Sequence, residues 1–457
     1  MAFPTILIDS ASGSDTAASG AGPATALTGT GASLTNTSLD IDLSADSPDL
    51  SGVAVDGSAV LWVATSTGRQ FYAIASLDNT TKIVTAVAGQ TAGATEGSRS
   101  WAIGGKRASI NAASSRTLFA LTGMAANWSL EFASGHAETI TSSIAVAAIV
   151  LTAADTCSLH AVAGAATPPT LTKNGNFTIF DFGYSGTGTW RLQGLRFRST
   201  TSNGMVGFSQ SGRRLLIEQC VIDTAGGGTF AIGFSLQANA HQVVGCDLTA
   251  AIGVSSTYGG CEIERCRFLA CTTVGAKLAI GSVEDSLFVT CAIGIEFLGY
   301  TAVTHVPVNF AADRCTFSGG ATGVKFTAHA SALQSCMMSS LVFSGQTTEA
   351  ITIGNTGDTA AAMILRGSYI ANCVIYGATS NITAGYESLL TGLVTTDPAF
   401  ANAAGGDYTP TAAAVIGAGY PQYIGSVRSY PTPGAFQPEA GGSAAIRPGG
   451  IILGGIQ

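Results

Sequence analysis

Charge is the scarcest property of this sequence: Asp, Glu, Lys and Arg together make up 11% of its 457 residues. The 20 Lys and Arg are outnumbered by 28 Asp and Glu and form no basic stripe. That excludes a phosphate-neutralising surface, and with it a nucleic-acid partner. Long apolar runs are missing as well. The longest, Ile144 to Leu151, covers about eight residues where a spanning helix needs about 20, so no membrane insertion is expected despite a mean hydropathy of +0.36. The opening Met1-Ala-Phe-Pro-Thr-Ile-Leu-Ile-Asp9 has no basic stretch before its apolar residues, unlike a secretory signal. Histidine is limited to His136, His160, His241, His305 and His329, with no HxxxH or HExxH grouping, and no Gly-Lys-Ser/Thr loop is present. Neither a metal centre nor a phosphate-binding cofactor is therefore expected. Of only four Trp, Trp62, Trp101 and Trp128 fall in the first third of the chain, which leaves no aromatic platform for sugars in the rest.

What is abundant is glycine, 58 residues, set among Ala, Ser, Thr, Val and Ile. This is the make-up of many short strands joined by tight turns. A six-residue pattern recurs: apolar, two mostly polar residues, Cys or a substitute, any residue, apolar. It reads Leu192-Gln-Gly-Leu195-Arg-Phe197, Ile217-Glu-Gln-Cys220-Val-Ile222, Val243-Val-Gly-Cys246-Asp-Leu248 and Ile263-Glu-Arg-Cys266-Arg-Phe268. It continues as Val283-Glu-Asp-Ser286-Leu-Phe288, Ala312-Asp-Arg-Cys315-Thr-Phe317, Leu333-Gln-Ser-Cys336-Met-Met338 and Ile370-Ala-Asn-Cys373-Val-Ile375. Between copies runs a second pattern of a small residue followed by alternating apolar positions: Gly253-Val-Ser, Gly275-Ala-Lys-Leu278, Gly294-Ile-Glu-Phe297, Gly323-Val-Lys-Phe326 and Ala350-Ile-Thr-Ile353.

The alternation of Cys-x-apolar is that of a strand, with both side chains on one face. The apolar residue three places earlier has the wrong parity for the same flat strand, so the two residues between form a corner. Strand, corner, strand in every repeat describes one coil of a β-solenoid, whose stacked coils bury a core that no single coil could bury. Cys220, Cys246, Cys266, Cys315, Cys336 and Cys373 then form an inward column with Ser286 as a substitute. Coils about 4.8 Å apart hold Cβ atoms farther apart than the roughly 3.8 Å of a disulfide, so these thiols are expected to be reduced and buried. Phe268, Phe288, Phe297, Phe317 and Phe326 fall at inward positions of the repeat.

Over about residues 128 to 420 these repeats resemble the pectate-lyase-like family of right-handed parallel β-helix proteins. Asp397-Pro-Ala-Phe400, Gly406-Asp-Tyr408 and Ala413 to Gly419 are similar to the closing segment of that superfamily. The resemblance implies an all-β, right-handed parallel β-helix, a fold that serves lyases, hydrolases, adhesins and phage spikes alike. Ahead of it, residues 50 to 90 read as a β-meander, and Asn111 to Met124 as a helix that caps the first coil. The expected division is an N-terminal β-rich attachment module with its capping helix (1–127), the β-helix (128–420) and a Gly/Pro-rich tail (421–457). Asp9 to Pro23 and Trp101-Ala-Ile-Gly-Gly-Lys-Arg107 are similar to the N-termini of tailed-bacteriophage β-helix virion proteins.

The strongest candidates for chemistry are the carboxylates at the first corner position: Glu218, Glu264, Glu284 and Asp313. Stacked on one face they could act as acid and base on a polysaccharide or hold calcium. The alternative is a solvated corner neutralised by Arg265 and Arg314 at the next position. A second outward column, Ser255, Lys277, Glu296, Lys325 and Thr352, alternates in sign as a surface ladder does. The resemblance and the low charge together imply a non-enzymatic virion protein of a tailed phage, a head decoration, fibre or spike. Such a protein is assembled in host cytoplasm, exposed on the particle exterior, partnered by capsid or tail proteins and self-associating as a trimer. The runner-up is a tailspike depolymerase (lyase or glycosidase) acting on a host surface glycan, with the four carboxylates as its catalytic set; a bacterial adhesin is a third reading.

Overall fold

The structure is a computed structural model that describes residues 5–14, 22–23, 25–35, 37–55, 59–66, 68–86, 95–110, 129–145, 156–175, 177–182, 188–199, 204, 206–208, 214–224, 230–234, 241–298, 308–327, 334–354, 360–365, 367–416, 418, 422–424, 427–429 and 434. Its main body is a parallel β-helix with three faces. The first face runs from Thr5–Ile8 and Ser129–Phe132 through Arg214–Glu218 and His241–Val244 to Leu390–Thr391. The second is a ten-stranded parallel sheet from Ala137–Ile140 to Val374–Tyr376, most of its strands three residues long. The third carries strands such as Ile293–Leu298, Thr322–Thr327 and Glu349–Ile353. Two long strands, Ile252–Glu264 and Val274–Glu284, turn from the third face into the first without a break.

The corner between the first and second faces explains the six-residue pattern. One residue per coil there is left-handed, with φ between +49° and +68° at Gly194, Gln219, Gly245, Arg265, Asp285, Arg314, Ser340, Asn372 and Gly392. A non-glycine residue in this region costs about 1–2 kcal/mol. The corner amides offset that cost, because the N–H of Gln219, Arg265, Asp285 and Arg314 each donates to a carbonyl of the next coil. The bend reverses the parity of the side chains, so Ile217 and Cys220 both point inward.

Aromatic stacking fixes the second face. Phe268, Phe288, Phe317 and Phe343 follow one another through the core with ring centroids 4.6, 4.9 and 4.8 Å apart. Their rings fill the space that a side chain would need at the small residue of the third face. A Cβ on Gly253, Gly275, Gly294 or Gly323 would sit 2.4–2.7 Å from the ring of Phe268, Phe288, Phe317 or Phe343 respectively. Where the corresponding core residue is Ile375 instead of Phe, the small position is Ala350.

All ten cysteines are buried and unpaired. One of them is not where the pattern put it. Phe310 pairs with Cys336 and Asp313 with Ser339, so the coil turns its corner at Ser340 and the column position is Leu341. The true copy is Met338-Ser-Ser-Leu341-Val-Phe343. Cys336 belongs instead to the row of His241, Cys261 and Phe310, five residues ahead of the column position in each coil.

The N-terminal region divides its strands between the coils and a barrel. Thr5–Ile8 pairs in parallel with Ser129–Phe132, and Ile6 and Ile8 join the solenoid core, so this strand is part of the β-helix. After Ile8 the chain leaves the coils to form a six-stranded antiparallel barrel, in ring order Leu27–Leu34, Asp40–Asp42, Ile83–Ala86, Gly68–Asp78, Val60–Thr65 and Glu96–Ile103, and returns at Arg107 beside Ile8. Val60–Thr65 is buried on both sides: Leu61 and Val63 fill the barrel, while Val60 and Trp62, with Ala73 and Ala102, join the core of the coils. The barrel thus covers the open end of the first coils. The capping helix expected at Asn111 to Met124 lies outside the described residues.

At the other end, Phe400–Asn402 and Asp407–Pro410 form a hairpin against the outside of the second face. There Phe400, Tyr408 and Val415 cover Leu287, Val342 and Val374. The segment is tied by Asn372 Nδ2 donating to Ala418 O (3.1 Å) and by Gly434 N donating to Ser340 O (2.8 Å).

Candidate functional site

The candidate carboxylates do share one outward row on the first face. Its order is Gln193, Glu218, Val244, Glu264, Glu284, Asp313 and Ser339. Val244 separates Glu218 from the rest, which leaves Glu264, Glu284 and Asp313 on three successive coils. Each is the last strand residue before the left-handed corner, so the corner side chain of the same coil emerges beside it.

That corner supplies the counter-ions. Arg314 places Nε 2.6 Å from Asp285 Oδ1 and Nη2 3.1 Å from Asp285 Oδ2, reaches Glu284 Oε2 at 3.4 Å, and pairs through Nη1 with Asp313. Asp313 also accepts from Ser339 Oγ at 2.6 Å. Arg265 Nε lies 3.0 Å from Glu264 Oε1. Glu218 stands apart, paired with Arg191. One guanidinium therefore serves three carboxylates, Glu284, Asp285 and Asp313.

Burial raises the pKa of Glu284 above the ordinary carboxylate value; Arg314 opposes it, while Asp313, Asp285 and Glu264 add to it. Burial likewise raises Asp313, against the pull of Arg314 and the Ser339 hydroxyl. Two neighbouring carboxyls with raised pKa values are what acid–base chemistry uses. An arginine fork held on both is what a structural ion network uses. Among the described residues, no three His, Cys, Asp or Glu side chains converge in a metal-holding arrangement.

The alternating column on the third face is also in register: Ser255, Lys277, Glu296, Lys325 and Thr352. Glu296 lies 3.4 Å from both Lys277 and Lys325 and accepts from Thr327 Oγ1 at 2.7 Å. Burial works against its ionisation, but these three partners outweigh it and hold its carboxyl below the usual range. His241 is a core residue: its Nδ1 accepts from Leu215 N, and burial pushes its pKa down to about 4. His160 is half-buried, 4.0 Å from Glu131, and His305 and His329 lie outside the described residues. Sequence reasoning missed two buried cations. Lys173 points into the coils and donates to Phe177 O (2.7 Å) and Gly204 O (3.1 Å), and burial lowers its pKa to about 8. It also missed the fully buried Arg107 at the return from the barrel. Lys173 has a signal, since it occupies the inward parity of Thr170–Lys173 after Leu171.

No known family profile matches this chain, and no curated protein sequence matches it.

Proposed function

We propose that this protein is a non-enzymatic structural component of a tailed-bacteriophage particle, a β-helical decoration, fibre or spike on its exterior. One observation carries the non-enzymatic part: the adjacent carboxylates Glu264, Glu284 and Asp313 are each engaged by an arginine of the corner row. A catalytic acid and base must be free to exchange protons with substrate or water. The virion part rests on the resemblance of Asp9 to Pro23 and Trp101 to Arg107 to phage β-helix proteins, and on an architecture whose first coils are covered by the barrel and whose second face is covered by a hairpin. In this reading the barrel side of the molecule meets capsid or tail proteins, the coils project from or lie on the surface, and the chain associates as a trimer by analogy with phage spikes.

The raised pKa values of Glu284 and Asp313 favour the second reading, a glycan depolymerase. The two are separated experimentally by incubating the protein with host capsule and lipopolysaccharide and assaying for new reducing ends and unsaturated uronates. The structural reading predicts no cleavage. Cleavage that is lost in Glu264→Gln or Glu284→Gln would overturn it.

A further inference from the structure

Where the barrel joins the coils, three chain segments meet at one buried imidazole. His136, 1% exposed, opens the second face of the first complete coil and lies against the ring of Phe132 (centroids 5.4 Å apart). Its Nδ1 accepts from the backbone N–H of Ser10, just beyond the N-terminal strand (3.1 Å). Its Nε2 faces Glu138 Oε2 at 3.3 Å, and the same oxygen accepts from the N–H of Ile110, on the chain's return from the barrel (2.9 Å). Ser10 answers with its hydroxyl, which accepts from Ala137 N (3.2 Å).

An imidazole nitrogen that accepts a hydrogen bond carries no proton, so the bond from Ser10 selects the neutral tautomer with its proton on Nε2, donating to Glu138. Protonation places a second N–H at Nδ1, facing the N–H of Ser10. Two donors then oppose each other, while the pairing with Glu138 becomes an ion pair. We infer that His136 is a proton-operated latch: in its neutral form it holds the N-terminal segment to the first coil, and on protonation it releases Ser10 while keeping its hold on Glu138.

Charged groups lie on each of the segments that meet at His136. Glu138 is the carboxylate facing it from its own strand. On the N-terminal segment Asp9 is tied to Lys106 of the returning chain (2.8 Å), and that bond, with Ser12, holds its carboxyl far below the usual range, so it stays ionised. Arg107, also on the returning chain, is permanently charged. Glu131 and His160 sit on the outward side of the first face, opposite to Phe132. The latch loosens the edge strand Thr5–Ile8, whose backbone remains joined to the coil by Ala133 N donating to Ile8 O.

Hydrogen exchange of the full chain at pH 8 and pH 5, corrected for intrinsic rates, tests this independently of any role in a particle. Protection of the Ser10 amide should fall at least tenfold at pH 5, while amides of strands such as Val283 and Phe317 keep theirs. His136→Gln supplies a carbonyl for Ser10 and an N–H for Glu138 at every pH, so its protection should not change between the two. Equal protection of Ser10 at both pH values in the wild type, or the same loss in His136→Gln, overturns the inference. If that variant does not fold, the wild type suffices: the midpoint of Ser10 deprotection must coincide with that of the His136 ring signals, and a mismatch refutes the latch.

Discussion

Replacing Gly294 by alanine tests the packing that sets the shape of each coil. The added Cβ would lie 2.5 Å and 2.6 Å from Phe317 Cδ1 and Cε1, and 2.6 Å from the carbonyl oxygen of Gly323. The ring is wedged between Phe288 and Phe343 and the carbonyl belongs to the paired strand, so neither has room to retreat. Overpacking of this kind costs about 1–3 kcal/mol. The φ of Gly294 is not left-handed, so alanine also gains about 0.4–1 kcal/mol by restricting the unfolded chain. The steric term wins, and a net loss of about 1–2 kcal/mol is expected from the difference of these two effects. Gly52 is the control: no atom lies within 4 Å of its would-be Cβ, so Gly52→Ala should be neutral or slightly stabilising. Because a solenoid can open coil by coil, the assay is hydrogen exchange across residues 286–326 alongside denaturant titration. Protection in Gly294→Ala equal to that of wild type would refute the account of the Phe stack, and Gly294→Ala combined with Phe317→Leu should recover part of the loss.

Thiol counting in denaturant without reductant should find all ten cysteines free, and fewer than six would contradict the stacked-coil geometry. Cys266→Phe should cost roughly 1–3 kcal/mol by overpacking, and Cys266→Ser less, because Ser286 already occupies the column and donates to Glu284 O. Arg314→Ala strips the counter-ion from three carboxylates; a buried pair would cost 3–5 kcal/mol, and partial exposure reduces that to about 1–3 kcal/mol at pH 7. The sign with pH follows from the raised values of Glu284 and Asp313: the folded state binds protons more readily than the unfolded, so stability falls as pH rises above the ordinary carboxylate range. A thermal denaturation series from pH 4 to 7 should show that fall steepen in Arg314→Ala, and an unchanged slope would count against the network. Truncation after Thr396 removes the hairpin and uncovers Leu287, Val342 and Val374, so dye binding to exposed apolar surface should rise; truncation after Tyr430 removes the Gly434 contact and should leave the hairpin in place.

The parts of the fold that repeat were legible in the sequence, because repetition multiplies a weak signal. Five inward Phe and five small residues at matching positions of the repeat say more than any one strand of three residues. Cys336 was misplaced because Leu333-Gln-Ser-Cys336 satisfies the pattern by residue type, while Leu341 fills the true column position with an ordinary apolar residue. The meander from Val60 to Ala86 was legible from its alternation and turns. Its closure into a barrel was not, because Leu27–Leu34 is rich in Gly and Thr and has little alternation to read. Thr5–Ile8 could not be assigned to the coils, since its partner lies more than a hundred residues on and no local pattern joins them. At the candidate site the row of carboxylates and the arginines beside it followed from spacing. That one arginine serves three carboxylates did not, because an arginine at the left-handed corner lacks the Gly or Asn signal that marks the corner at Gly194, Gly245 and Asn372.

The most direct test of the proposed virion role is to purify particles from a lysate in which this chain is expressed, quantify the chain by mass spectrometry against the major capsid protein, and locate it by electron cryomicroscopy. The account predicts a fixed stoichiometry and a three-faced β-helix on the particle exterior, with the barrel end at the attachment. Absence of the chain from purified particles, or attachment through the coils with the barrel free, would contradict it.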